Sequence, residues 1–226
     1  MEMIHLKKVK KDYGTRKKTT AIRSFDLTIQ QGEMLAIMGR SGSGKSTVLN
    51  LIAGIDQPSG GTYLFEGKDM SKFTGDRMTR FRRDHIGVVF QHFALADDYT
   101  VFNNIALPLK LRRISRAEID RRVREVADEL GITALLSKYP KELSGGEAQR
   151  TAIARAVIAK PKLILADEPT GALDEENGSK IMQVFQKLHD QGNTIVIVTH
   201  DLGVAAICDR TVWIKDGKNY KKNEER

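Results

Sequence analysis

Residues 34–47 of the 226-residue chain read MLAIMGRSGSGKST. Five apolar residues, 34–38, are typical of a buried strand, and residues 39–46 fit the pattern GxxxxGK[ST]. In that pattern, backbone N–H groups curl around phosphate oxygens and the N-terminus of the next helix adds positive potential. The stretch therefore predicts a strand, a phosphate-binding loop and a helix, which together begin an α/β nucleotide-binding fold.

We name residues 39–47 the phosphate loop and predict that it binds ATP. Lys45 is expected to meet the β and γ phosphates, and Ser46 to bind Mg²⁺. A chance glycine-rich turn is the alternative, which the strand before the loop and the helix after it disfavour. The predicted ATP contacts are Gly39, Arg40, Ser41, Gly42, Ser43, Gly44, Lys45, Ser46 and Thr47.

Short β-like runs alternate with helical patterns along the chain, at residues 4–9, 34–38, 86–90, 163–166, 194–198 and 211–214. This alternation predicts an α/β fold with a largely parallel central sheet. Residues 100–160 read as almost wholly helical, with capping boxes predicted at Ser115 with Glu118 and at Ser144 with Glu147. We expect a single domain over residues 1–226. Its sheet core would take about residues 1–90 and 161–226, and an inserted helical subdomain about residues 91–160.

Composition is that of a soluble globular protein, with 40% hydrophobic and 29% charged residues. No uncharged apolar run approaches the roughly 18 residues that span a bilayer, and the N-terminus lacks the pattern of a signal peptide. We therefore expect a cytoplasmic protein. The net charge of +8 is concentrated in residues 1–23 and 110–124. Anionic lipid, nucleic acid or phosphate ligands are possible partners of such stretches, but a solvated basic surface is the favoured interpretation.

Two carboxylates, Asp167 and Glu168, follow the apolar run 163–166. Ligands of open α/β sheets bind at the carboxyl ends of the strands, so both side chains should emerge beside the phosphate loop. Asp167 would hold Mg²⁺ directly or through a coordinated water, and Glu168 would activate the attacking water as general base. The alternative makes Glu168 a surface acid or a cap before Pro169.

Two further polar residues follow strands at the same predicted edge. His200 comes after the run 194–198 and would contact the γ-phosphate and orient the water. Gln91 comes after the run 86–90, and its amide would reach Mg²⁺ or the water. Either residue alone is more often structural, so both assignments depend on the phosphate loop and the carboxylates.

Together, the phosphate loop, the segment LSGGEAQR at 143–150, the strand LILADEPT at 163–170 and the following histidine resemble an ATP-binding cassette (ABC) ATPase. The resemblance covers nearly the whole chain. It implies a RecA-like, mostly parallel sheet core with an antiparallel β part and an inserted helical subdomain. It also implies that Tyr13 stacks on adenine, and that Gln91 and His200 act in catalysis.

In such ATPases the LSGG segment completes the site of a second copy. The resemblance therefore implies a head-to-tail homodimer in which Ser144, Gly145, Gly146 and Asp174 contact the partner's ATP. Ser144 and the two glycines open a predicted helix, whose N–H groups and dipole suit a γ-phosphate. The predicted cofactors are ATP and Mg²⁺.

A finer resemblance is to ATPases of the MacB, LolD and BceA type, carried by IGVVFQHFAL, VFNNIALPL, YPKELSGGEAQR and LADEPTGALD. Among these, the chain resembles the freestanding LolD and BceA forms, since MacB is fused to its membrane domain. This implies a separate integral-membrane permease that docks near residues 91–108, with candidate contacts at Phe93, Leu95, Tyr99 and Phe102. The ATPase would lie on the cytoplasmic face of the membrane and power export or extrusion.

A soluble ABC ATPase acting on nucleic acid or ribosomes is the alternative of another class, which the basic stretches could serve. Relatives that maintain chromosomes interrupt the cassette with coiled coils or zinc modules. Here only 99 positions separate Lys45 from Ser144, without heptads or paired cysteines. Translation-factor relatives usually carry two cassettes, so we expect no nucleic-acid partner. A module that closes on ATP without turnover is disfavoured by the presence of Glu168 and His200.

Overall fold

A computed structural model describes residues 1–14 and 18–220. The strands are β1 Glu2–Tyr13, β2 Thr19–Gln30, β3 Met34–Met38, β4 Gly60–Phe65, β5 Lys68–Asp69, β6 Ile86–Val89, β7 Leu163–Asp167, β8 Thr194–Thr199, β9 Arg210–Lys215 and β10 Lys218–Tyr220. The α-helices are α1 Lys45–Ile52, α2 Gly75–His85, α3 Val101–Leu111, α4 Arg116–Glu129, α5 Gly145–Val157, α6 Glu175–Asp190 and α7 Leu202–Ile207. Short 3₁₀ helices span Met70–Lys72, Thr133–Leu135 and Pro140–Glu142.

These strands form one sheet in the order β5-β4-β1-β2-β10-β9-β3-β8-β7-β6. The half from β9 to β6 is parallel, whereas β1, β2, β4 and β5 pair antiparallel. Strands β3 and β8 are buried along their whole length, as expected of parallel strands covered on both faces. Because β3, β6, β7 and β8 run in one direction, the residues that follow them lie at the same edge of the sheet.

Each face of the parallel half has its own hydrophobic layer. One face packs on α3, α4, α5 and α6 through residues such as Ile164 and Ile197. The opposite face, through Leu165 and Val198, packs on α1, together with buried residues of β1, β2 and β4. The antiparallel part therefore curls over the same core as α1, and it brings the ends of β1 and β2 close to the phosphate loop.

The predicted α/β fold is confirmed, and all six predicted runs coincide with strands, except that Phe90 lies one residue past the end of β6. Four other strands were not identified individually. In β2 the alternation of Phe25, Leu27 and Ile29 is the sign that would have identified it, since these three are buried between more exposed neighbours. Strands β5 and β10 have two and three residues, which is too short for a periodic pattern to appear.

Of the two predicted capping boxes, only that of Ser144 and Glu147 is complete. The hydroxyl of Ser115 does accept from the Glu118 N–H and begins α4. However, the Glu118 carboxylate turns outward and accepts from Arg121 and Arg122 instead of returning to the Ser115 backbone. Two arginines in reach compete with the one N–H for the carboxylate, and charge-assisted hydrogen bonds are stronger.

Much of the positive charge in residues 110–124 is neutralised within the fold. Arg121 and Arg122 pair with Glu118, Arg124 pairs with Asp120, and Arg112 lies 3.8 Å from Asp84. These contacts favour the solvated-surface interpretation of that stretch. Within residues 1–14 and 18–220, no helix is both long and apolar enough to cross a bilayer.

Candidate active site

Close backbone packing shapes the phosphate loop between β2 and β9. A Cβ atom on Gly39 would lie 2.3 Å from the Ile214 carbonyl oxygen, and one on Gly44 would lie 2.7 Å from Ile22 Cδ1. Gly44 also has a φ of +106°, a backbone conformation that residues other than glycine rarely adopt. The outer residues of the loop are exposed, namely Arg40, Ser41 and Gly42. The loop is thus held tightly at its base and is open at its rim.

Donors at the base of this loop are available to an anion. No side chain of the described residues caps the N-terminus of α1, so its first N–H groups keep their positive potential. The buried Ser43 hydroxyl likewise has no hydrogen-bond partner in the described part of the chain. Lys45 is 7% exposed, and its ammonium turns back to donate to the carbonyl oxygens of Gly39 at 2.9 Å and Arg40 at 3.2 Å. These donors fit a phosphate chain.

Asp167, the last residue of β7, lies beside the start of α1. Burial raises the pKa of its carboxyl, and the neighbouring Glu168 charge adds to this effect, while a Ser46 hydrogen bond and the Lys45 charge oppose it. A carboxylate whose ionised form is disfavoured gains most from a nearby cation. Asp167 and Ser46 therefore form an oxygen-rich pair that fits Mg²⁺, which prefers carboxylate and hydroxyl oxygens.

Glu168 lies between a cation and an imidazole. Its Oε1 is 3.9 Å from Lys45 Nζ, and its Oε2 is 3.2 Å from His200 Nδ1. The Glu168 N–H donates to the Val198 carbonyl oxygen at 2.8 Å, and its φ is +46°. This uncommon left-handed backbone turns the chain where β7 ends, and such conformations cluster at functional sites. His200 is 65% exposed, so its ring is accessible from solvent.

Gln91, which follows β6, reaches the same place. A Cβ atom on Gly171 would lie 3.0 Å from Gln91 Nε2 and 3.4 Å from Glu168 Oε2. The amide of Gln91 and the carboxylate of Glu168 therefore both border Gly171. The structure thus brings together the predicted Lys45, Ser46, Gln91, Asp167, Glu168 and His200.

Tyr13 lies at the end of β1, within hydrogen-bonding range of Thr47. Its hydroxyl donates to Asp56 Oδ2 at 2.5 Å, and the ammonium of Lys11 lies 4.7 Å from the centre of its ring. Lys11 also bonds Asp56 at 3.0 Å. Neither Lys11 nor Asp56 is among the site residues predicted from the sequence. Lys11 is two residues before Tyr13 and so shares its side of β1, but Asp56 follows α1 and meets Tyr13 only through folding.

The segment 143–150 lies at the start of α5. Ser144 caps this helix: its N–H donates to Glu147 Oε2 at 2.7 Å, and its hydroxyl accepts from the Glu147 N–H. The Ser144 hydroxyl also donates to Glu147 Oε2 at 2.9 Å, and the two bonds that Ser144 donates to this carboxylate lower the pKa of Glu147. The N–H groups that remain for an external anion are therefore those of Gly145 and Gly146, which lie at the positive end of α5.

Asp174 caps α6 by accepting from the Asn177 N–H at 2.8 Å. A Cβ atom on Gly146 would lie 2.9 Å from Asn177 Oδ1, and one on Gly145 would lie 3.0 Å from Leu173 Cδ2. The start of α5 therefore packs on the segment leading into α6. Among the described residues, no hydrogen bond or ion pair joins this group to the phosphate loop, so the predicted partner-site residues form a cluster of their own.

Known protein families include one that matches this chain. The family model described as "ABC transporter" matches residues 22–171. The chain belongs to the ABC transporter family. Its cassette is the ATP-binding, ATP-hydrolysing part of such a transporter.

Curated relatives of the cassette include the bacitracin export ATP-binding protein BceA of Halalkalibacterium halodurans, which is 42% identical over 97% of this chain and 88% of that protein. The macrolide export ATP-binding/permease protein MacB of a Shewanella species is 43% identical over 88% of this chain, which covers only 31% of that protein. These proteins are named as transport proteins, and nothing in the comparisons favours the nucleic-acid alternative.

Solved structures similar to the cassette include a dimeric form of MJ0796, a bacterial ABC transporter cassette. It matches with a TM-score of 0.90 and 41% identity, over 97% of both chains. A dimeric post-hydrolysis state of MJ0796, bound to ADP and Pi, matches with the same TM-score and 40% identity. The cassette fold is therefore confirmed together with its ATPase activity, and similar cassettes are dimers.

The raised pKa of Asp167 predicts the effect of neutralising its side chain. Because the folded state favours the protonated form, stability falls as pH rises from the ordinary Asp pKa, about 4, through the raised value. We expect Asp167→Asn to raise the melting temperature without ligand at pH 7, and this gain to shrink toward pH 4. Added Mg²⁺ and ATP should stabilise the wild type and have much less effect on the variant.

Asp84→Asn is the matched control for this thermal unfolding experiment. The ion pair with Arg83 lowers the pKa of Asp84, so removing its charge should lower the melting temperature at pH 7 and leave the response to Mg²⁺ and ATP intact. A melting temperature of Asp167→Asn that falls as in Asp84→Asn would contradict the unfavourable burial of the Asp167 charge.

Proposed function

We propose that this chain hydrolyses ATP with Glu168 as the general base. The observation that carries the proposal is the position of the Glu168 carboxylate between Lys45 at 3.9 Å and His200 at 3.2 Å. Lys45 sets the place of the terminal phosphates, so a carboxylate beside it lies next to the attacked phosphorus. His200 holds the other carboxylate oxygen and faces solvent, where it orients the water that Glu168 deprotonates.

The remaining residues of the site would bind ATP and Mg²⁺ and orient them for hydrolysis. The phosphate loop would hold the phosphate oxygens, with help from the N-terminus of α1 and from the Ser43 hydroxyl, which has no partner among the described residues. Ser46, Asp167 and Gln91 would hold Mg²⁺, which neutralises charge on the β and γ phosphates when bound. Tyr13, held by Asp56 and Lys11, would offer its free ring face to the adenine.

Glu168→Gln tests the assignment of the general base. We expect the variant to bind ATP as the wild type does and to hydrolyse it roughly 10² to 10⁴ times more slowly, because the amide is no base. Single-turnover hydrolysis and calorimetric ATP affinity are the measurements. Glu66→Gln is the control, since Glu66 pairs with Lys162 on another part of the molecule. Turnover of Glu168→Gln near the wild-type rate would remove Glu168 from this role.

The active unit in this proposal is a head-to-tail homodimer. The N–H groups of Gly145 and Gly146 lie at the positive end of α5, yet no contact of the described residues ties them to the phosphate loop of their own chain. A second copy related by a two-fold axis would place them, with Ser144 and Asp174, over the γ-phosphate. ATP would then hold the two copies together, and its hydrolysis would release them.

Ser144→Asp tests whether Ser144 acts in the site of its own chain or in the site of the partner copy. Aspartate also caps helices well, so α5 should remain folded while a negative charge faces the γ-phosphate of the partner copy. We expect ATP affinity of the monomer to stay within about twofold, and ATP-driven dimerisation to weaken by about tenfold or more. Calorimetry and analytical ultracentrifugation measure the two properties.

Two variants serve as references for this experiment. Ser115→Asp makes the same change at the cap of α4 and should leave both properties unchanged. Lys45→Ala should lose tight ATP binding and dimerisation together. If Ser144→Asp weakened ATP binding by the monomer, Ser144 would belong to the site of its own chain, and the head-to-tail arrangement would be wrong.

We further propose that the dimer serves an integral-membrane permease at the cytoplasmic face of the membrane, in an export or extrusion complex. Support comes from the relatives: BceA is named for bacitracin export, and the MacB protein is named as both ATP-binding protein and permease. The expected docking surface is residues 91–108. There Tyr99 is 42% exposed, Phe93 and Leu95 are half-buried, and Phe102 packs partly on the core.

Tyr99→Asp tests this surface because its ring is exposed. We expect Glu168→Gln, purified with a tag from solubilised membranes of the host, to bring along one integral-membrane protein identified by mass spectrometry. When Tyr99→Asp is added to this variant, recovery of that membrane protein should fall about tenfold, while ATP binding stays unchanged. Leu111→Asp is the control, as Leu111 is 63% exposed at the end of α3. Recovery of ribosomal or nucleic-acid-binding partners instead would contradict the transport role.

A further inference from the structure

The segment from Gln91 to Thr100 leads from β6 to α3, and we name it the glutamine loop. Two consecutive residues in it have left-handed backbone, Phe93 with a φ of +59° and Ala94 with a φ of +49°. Neither is glycine, and side chains make this conformation unfavourable. The loop therefore needs contacts from its surroundings to keep its shape.

Arg155, near the end of α5, supplies such contacts. Its guanidinium donates from Nη2 to the Phe93 carbonyl oxygen at 2.9 Å and from Nη1 to the Ala94 carbonyl oxygen at 2.6 Å. Burial lowers the pKa of Arg155, and no carboxylate of the described residues forms an ion pair with it. A half-buried cation without a counter-ion is costly, so these two carbonyl groups are what compensates its charge.

A second side chain holds the far end of the same loop. Asn104 of α3 is fully buried; its Oδ1 accepts from the Ala96 N–H at 2.8 Å, and its Nδ2 donates to the Ala96 and Tyr99 carbonyl oxygens. The loop is thus fixed at its middle by α5 and at its end by α3. Its start, Gln91, is the part that reaches Glu168.

The Phe93 ring also lies near the other end of α5. A Cβ atom on Gly145 would lie 3.9 Å from Phe93 Cζ, while the Phe93 carbonyl is bound by Arg155. The glutamine loop is therefore bonded to the last turn of α5 through Arg155 and lies near the first turn, which begins with Gly145 and Gly146. A displacement of α5 would either break the two Arg155 bonds or carry the loop with it.

We propose that Arg155 is a positioning residue that holds the glutamine loop in its strained form and thereby keeps the Gln91 amide beside Glu168. The inference rests on the role in hydrolysis proposed for Gln91. It adds that α5 has two tasks: its first turn presents the N–H groups of Gly145 and Gly146, and its last turn sets the place of Gln91. Engagement of the first turn by a phosphate is thus linked to the position of the amide.

The test compares Arg155→Ala with Gln91→Ala and with the double variant. We expect Arg155→Ala to lower kcat by about 10- to 100-fold, as misplacement of a catalytic contact does, with little change in ATP affinity. In the Gln91→Ala background, Arg155→Ala should cause no further loss. Hydrogen exchange of residues 92–96 should increase in Arg155→Ala, and Arg155→Lys, which keeps one donor group, should restore part of kcat and of the protection.

Arg112→Ala is the matched control, because Arg112 also donates to backbone carbonyls, those of Arg83 and Ala159, outside the glutamine loop. It should lower the melting temperature without changing kcat. If Arg155→Ala fails to fold, Arg155→Lys takes its place in the cycle. Unchanged kcat, or losses that multiply in the double variant, would overturn the inference. Wild-type activity of Gln91→Ala alone would instead reject the role proposed for Gln91, and the inference with it.

Discussion

Parallel pairing of four strands is the constraint on which the site depends. The register aligns Met38 with Thr199, Asp167 with Val198, and Val89 with Ala166. Each strand thus ends at the same edge of the sheet, although the segments are far apart in the sequence. The residues that follow are Gly39, His200, Glu168 and, one residue further on, Gln91. A shift of one residue in any pair would turn a side chain to the opposite face of the sheet and separate these residues.

Some of the unfavourable backbone conformations of the described residues lie at this edge. Glu168, Phe93 and Ala94 all have positive φ, and each follows a strand of the parallel half within a few residues. The sheet and its helices stabilise these unfavourable conformations. Buried strands hold the chain on one side, and helix side chains such as Arg155 hold it on the other. The same packing that stabilises the fold therefore also fixes the positions of Glu168 and the glutamine loop.

Several charged and polar groups of the site are ones that a bound nucleotide and cation would stabilise. Lys45 donates to carbonyl groups of its own loop, and Asp167 has a raised pKa because its charge is buried. Among the described residues, no side chain caps the start of α1 and none bonds the Ser43 hydroxyl, so both add donors for an anion. A bound nucleotide and cation would satisfy these groups together, which supports the ligands proposed for this site.

By itself, the sequence determined the phosphate loop, the acidic pair after β7, and the capping box of Ser144, because these depend on short motifs whose function is local. It also indicated Gln91 and His200, because an apolar run shows where each strand ends. The resemblance to ABC ATPases added Tyr13 and Asp174, whose roles no local pattern reveals.

Only the tertiary structure decided how distant side chains combine. The bond of Tyr13 to Asp56, the place of Gly171 between Gln91 and Glu168, and the hold of Arg155 on the glutamine loop each join residues from separate elements. Folding brings such residues together through the register of the sheet and the packing of helices on it. No spacing along the chain encodes these distances, and they therefore became visible only in three dimensions.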